Sequence, residues 1–317
     1  MLSSWDQLKG HSEQRELFRR SLELGRLSHA YVLAGPEGIG KRQFARLLAQ
    51  SVFCRNHELA ELQICGDCRA CRAFAVNAWP DYIEIGVPEG KNTIPIALIA
   101  GEDGKRGREG LCYELSMAPQ ASDRRVAVIN DAGLMNTESA NALLKTLEEP
   151  PADSLILLVC DNPDTLLPTI RSRCQIIRFF PMSADDVKQI LLQEEIVDSE
   201  EEAASIAALC EGSLEIARQL LNPDLRKLKS SVAKHLSQME AMKPLKIAAS
   251  VIEGIEEMSS STAEQRQNAQ WLLRFVADAI QDRLKGLAHG DLADPLTQKL
   301  GARSGVDLLA PMLERTI

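Results

Sequence analysis

Over residues 1–180, short apolar runs alternate with amphipathic stretches. HAYVLAG reads as a strand running into a glycine-rich loop, and KRQFARLLAQSVF reads as an amphipathic helix behind it. RRVAVIND and SLILLVCD are further short apolar runs that end in polar residues. Such runs predict buried parallel strands whose C-terminal ends carry a site. Between them, ESANALLKTLEE predicts a helix stopped by Pro150-Pro151. The fold class expected for this zone is α/β.

The pattern changes twice. Residues 181–222 lose the strand-like runs and predict a small helical lid. Ser183 suits an N-cap, Asp185 and Asp186 suit a first turn, and Gly212 suits a C-cap. Residues 223–317 are helical in character throughout. In WLLRFVADAIQDRLKGL, Leu272, Phe275, Val276, Ala279, Ile280 and Leu284 fall on one face.

Composition adds bounds. The 317 residues are long enough for two or three domains, and 45% are hydrophobic. Aromatics make up 4%, so the core is expected to be mostly aliphatic. The formal charge of −9 argues against a chain that grips nucleic acid alone. The charged N-terminus lacks an apolar signal core, and no apolar run has spanning length. A cytoplasmic protein without membrane contact is therefore expected, and its eight cysteines are not expected to form disulfides.

GPEGIGKR, residues 35–42, fits the phosphate-loop pattern up to its last position. Gly35, Gly38, Gly40 and Lys41 are present. A backbone cradle and a lysine for the outer phosphates are thus retained. Arg42 stands where a Ser or Thr hydroxyl ligates Mg²⁺, and a guanidinium repels a cation. The second acidic element falls on VAVINDAG. One alignment puts Asn130 at the metal position and Asp131 at the water-activating position. Shifting by one puts Asp131 on the metal and leaves Ala132 as the base. Either register loses a carboxylate, so no intrinsic ATP turnover is expected, and ATP binding is expected to be weak or absent.

Cys54, Cys65, Cys68 and Cys71 read C-x10-C-x2-C-x2-C. Four thiolates at this density suit a closed tetrahedral Zn²⁺ site of structural type. Cys112, Cys160 and Cys210 have apolar or helical surroundings and read as core.

The segment TLLPTIRSRCQIIRF carries Ser172-Arg173-Cys174. Together with HAYVLAGPEGIGK, the cysteine module and ANALLKTLEEPP, it resembles the delta-prime subunits of the bacterial DNA polymerase III clamp loader. The resemblance covers about residues 25–180. It implies an AAA+ RecA-like module over 1–180 with a zinc insertion at 54–71, a helical lid over 181–222, and a helical oligomerisation collar over 223–317. It implies a hetero-oligomer with tau/gamma ATPase and delta subunits, meeting the sliding clamp and primed DNA through the assembled complex. It makes Arg173 an arginine finger acting in trans on a neighbour's ATP, with Ser172 and Cys174 supporting its loop.

Against the family pattern, Cys160 replaces a polar sensor and Ile216 stands where active relatives carry a phosphate-sensing Arg; Arg218 is out of register. The glycine-rich loop 101–110 is an addition, read as solvated. Two alternatives differ in chemistry. An active tau/gamma-type ATPase should carry Lys-Ser or Lys-Thr and an intact Asp-Glu pair. An independent zinc-containing DNA-binding module should be basic, with interleaved aromatics.

Overall fold

A computed structural model describes Trp5, Leu8 and residues 10–222. The expected collar at 223–317 lies outside the described residues. The chain divides into two compact units, residues 1–217 and 218–317, and the first of them contains the whole β-sheet.

In chain order the helices are α1 (Ser12–Glu23), α2 (Lys41–Phe53), α3 (Arg69–Ala75), α4 (Ile96–Ala100), α5 (Leu111–Ser116), α6 (Thr137–Glu148), α7 (Pro168–Arg171), α8 (Ala184–Gln193), α9 (Glu200–Leu209) and α10 (Leu214–Leu220). The strands are β1 (Ala30–Ala34), β2 (Tyr82–Ile85), β3 (Arg125–Ile129), β4 (Ser154–Cys160) and β5 (Gln175–Arg178). They form one parallel sheet in the order β2-β3-β4-β1-β5. The register places Val32 beside Leu158 and Ile176, Ala127 beside Ile156, and Ile83 beside Ala127.

The strands β1, β3 and β4 match the three apolar runs. Two edge strands join them that the runs do not mark. In β5 only Ile177 is buried, and in β2 only Ile83. An edge strand with one solvated face carries no continuous apolar run.

Side chains alternate between the two faces of the sheet. One face points Tyr31, Leu33, Val126, Val128, Leu157 and Ile177 toward α1, α2 and α3. It also gathers most of the aromatic core: Phe44 packs edge-on against Trp5 at 5.1 Å and Phe179 at 4.9 Å. The opposite face points Val32, Ala127, Ile129, Ile156 and Leu158 toward α4 through α7 and is aliphatic. The expectation of an aliphatic core thus fits one face; the few aromatics are concentrated on the other.

Side chains cap the helix starts, Ser183 as read and Asn136 in addition. Asn136 caps α6, its side chain accepting from Ser139 N at 2.8 Å. The Ser183 hydroxyl accepts from Asp186 N at 3.1 Å at the start of α8. In the loop 101–110, residues 102–109 are exposed, and Lys105 pairs with Glu109 at 2.9 Å and Arg106 with Asp103 at 2.8 Å. Among the described residues, no helix is long and apolar enough to cross a membrane.

One structural carboxylate escaped the sequence reading. Asp81 is fully buried just before β2. It accepts from the backbone of Gln120, Ala121 and Ser122 at 2.7–2.8 Å and from the Ser122 hydroxyl at 2.7 Å. Burial pushes its pKa up, but these hydrogen bonds outweigh burial and hold it below the usual carboxylate range.

Candidate functional site

The strands are parallel, so the loops after β1, β3 and β4 meet at one end of the sheet. This is where ligands bind in such folds. The loop after β1 turns through Gly38 (φ +72°) and Gly40 (φ +97°) before α2 begins at Lys41. Those values fit glycine, and the unpaired N–H groups of α2 face the cradle.

The two cations of this loop are already paired. Lys41 is buried; its ammonium donates to the Pro36 carbonyl at 2.6 Å and to Asp161 at 2.9 Å. Asp161 directly follows β4. Arg42 is exposed and donates to Asp131 at 2.9 Å. The chain therefore brings the residue at the hydroxyl position and the acid after β3 together as an ion pair. Asn130 is buried; its amide nitrogen donates to Glu84 at 2.7 Å, while its oxygen has no partner among the described residues. Asp131, rather than Asn130, lies in reach of the residue after the lysine.

The cradle is also covered. A Cβ at Gly38 would lie 2.3 Å from the Ser213 hydroxyl and 2.8 Å from Glu215 Cβ. The start of α10 therefore lies directly on the loop, and it brings a carboxylate. Ile216, on the same helix, is buried. From the N-terminal side, Leu8 approaches Gly40, and a His11 ring nitrogen meets the Ile39 carbonyl at 2.6 Å. Burial lowers the His11 pKa.

Arg173 lies in a different setting. Pro168 opens α7, and buried Ile170 anchors that turn to the aliphatic face. Beyond it, the Arg173 guanidinium meets Glu148 at 2.6 Å, the Thr169 carbonyl at 2.9 Å and the Ser172 hydroxyl at 3.2 Å. About a third of the side chain (34%) is exposed. The Ser172 hydroxyl in turn donates to Thr169 at 3.0 Å. Cys174 packs against the aliphatic core, and burial pushes its thiol up to about 12.

The four clustered cysteines converge. Cys54 follows α2, Cys65 and Cys68 lie in the loop beyond, and Cys71 is in α3. Their sulfurs all lie within 4.8 Å of one another. Cys68 N donates to Cys65 Sγ at 3.3 Å, and Cys71 N to Cys68 Sγ at 3.4 Å. A tetrahedral ion at about 2.3 Å needs sulfurs roughly 3.8 Å apart. Cys65 and Cys71 are 3.9 Å apart. This donor set fits zinc.

Sequence reasoning missed Asp161, Glu148, Ser213 and Glu215. Asp161 had a signal, a polar residue ending an apolar strand. Glu148 had another, an acid at a helix C-terminus, where cations are favoured.

A parallel sheet with a glycine-rich loop and lysine between β1 and α2 defines a P-loop module, here with arginine at the cation-binding position. The family model described as DNA polymerase III, delta subunit, matches residues 10–183, and the chain belongs to that family. It is 32% identical over 246 residues to DNA polymerase III subunit delta' of Pseudomonas aeruginosa, covering 76% of this chain and 67% of that protein. It is 32% identical over 197 residues to subunit delta' of Bacillus subtilis, covering 62% of this chain and 56% of that one. It is 35% identical over 206 residues to subunit tau of Escherichia coli, covering 63% of this chain and 29% of that protein. The matches thus span from about half to two thirds of these delta' relatives.

Proposed function

We propose that this chain serves as a non-catalytic, delta-prime-like subunit of a cytoplasmic clamp loader, helping to place a sliding clamp on primed DNA. Its partners are tau/gamma-type ATPase subunits and a delta subunit in a hetero-oligomer. Residues 181–222 act as the lid and 223–317 as the collar. The observation that carries the reading is the neutralised and covered phosphate loop. Lys41 and Arg42 are neutralised by Asp161 and Asp131, beneath a cradle covered by Ser213 and Glu215. Arg173 is held part-exposed on a turn.

The chemistry follows. With the Arg42 guanidinium next to Asp131, Mg²⁺ has neither a hydroxyl ligand nor an uncommitted carboxylate there. Phosphate would meet the Glu215 carboxylate at the cradle. Arg173 instead serves a neighbour's site, where a guanidinium stabilises charge on the transferring phosphoryl group. Cys54, Cys65, Cys68 and Cys71 hold one Zn²⁺, whose part is to fix the fold of the insertion. The test is ATP hydrolysis by the purified chain and by the reconstituted complex. Turnover is expected only in the complex. Lys41-dependent turnover by the purified chain would refute the reading.

The tau identity favours a second reading, an active ATPase. Arg42 and its pairing with Asp131 weigh against it.

A further inference from the structure

We infer that Glu148 is the positioning residue for Arg173, an inference that rests on the finger reading above. Glu148 ends α6, where the helix carbonyls concentrate partial negative charge and an acid is disfavoured. The Arg173 guanidinium offsets that charge at 2.6 Å. Both partners stand on anchored backbone. α6 is fixed to the sheet through buried Leu143 and Leu147, and α7 through buried Ile170.

The grip is two-sided. Glu148 takes Nη2, while the Thr169 carbonyl and Ser172 hydroxyl take Nη1. Nε has no partner among the described residues. The fork is thus oriented before any phosphate arrives, with donors left for it. A long side chain left free must lose its rotamer freedom on meeting the phosphate, which slows the step it assists. Glu148 removes that loss. It touches no reacting atom; it acts through Arg173.

The test uses a reconstituted complex in which the only intact ATPase site is the one facing this chain, supplied with Mg·ATP. Glu148→Ala is expected to lower kcat about tenfold, with KM for ATP within about twofold. Glu148→Gln keeps an acceptor and should fall between Ala and wild type. Arg173→Ala should lose more, and Glu148→Ala/Arg173→Ala should match Arg173→Ala alone, because Glu148 acts only through that side chain. Melting temperatures should be unchanged, since the pair is part-exposed. Wild-type or faster kcat in Glu148→Ala, beside an impaired Arg173→Ala, overturns the positioning role and leaves the finger reading intact. Wild-type kcat in Arg173→Ala sinks the finger reading, and this inference with it.

Discussion

The cations after β1 and the cation after α7 have opposite fates. Lys41 and Arg42 have partners within the module, and the start of α10 lies on their loop. Arg173 is also paired, with Glu148, but on a turn away from that loop, with a third of its side chain exposed. Lys41 is buried in its own ion pair and must break it to bind a ligand, whereas the part-exposed, oriented Arg173 guanidinium can add one. Arg42 is exposed, and its difference from Arg173 is its partner, the acid after β3. On the proposed reading, the same fold loses one nucleotide-handling site while keeping the means to complete another.

That contrast is tested first by perturbing the scaffold on one face of the sheet. The cysteine cluster continues directly from α2, the helix that the cradle opens, while Arg173 belongs to the opposite face. Cys71→Ser should reduce zinc, read by elemental analysis, from about one per chain to none. It should lower unfolding free energy by on the order of 5 kcal/mol. Full zinc occupancy in this variant would remove the cluster from the account.

Asp81 is a smaller perturbation that should affect both regions alike, because it ties the 120–122 turn to the start of β2. Asp81→Asn should cost about 2–4 kcal/mol in denaturant unfolding. Its folded pKa lies below the ordinary 3.8, so its contribution is fully present above that value and is lost as pH falls through the folded value. The wild type should therefore lose stability more steeply than Asp81→Asn below about pH 4.

The covered cradle is probed by Gly38→Ala. Positive φ and the Ser213 contact together should cost about 1–3 kcal/mol. Amide exchange at 213–216 should speed up while that around Arg173 stays as it was; equal acceleration in both regions would erase the contrast. The smallest expected change is in Arg42→Ser, where ATP turnover by the isolated chain should stay at background. The hydroxyl is restored there, but Asn130 and Ala132 still leave the acidic pair incomplete.

How much was legible follows burial. The interior strands β1, β3 and β4 show in the sequence as apolar runs because both their faces are covered. The edge strands β2 and β5 do not, because half of each is solvated. The cysteine cluster was readable from spacing alone. Asp161 was visible only as a polar residue ending a strand; its pairing with Lys41 and the contact of Glu215 with Gly38 were not, since they depend on which loops the sheet order brings together, 120 and 177 positions apart (161 − 41, and 215 − 38). Glu148 was visible as an acid at the wrong end of a helix, but its partner lies across a strand and a turn.

The central claim is that this chain serves ATP hydrolysis from Arg173 and not from Lys41. The most direct measurement compares Lys41→Ala and Arg173→Ala in the reconstituted complex, each assayed for ATP hydrolysis at the site facing this chain. Lys41→Ala is expected to leave that rate unchanged, while Arg173→Ala lowers it by about 10³-fold or more. A rate that depends on Lys41 and not on Arg173 would contradict the claim.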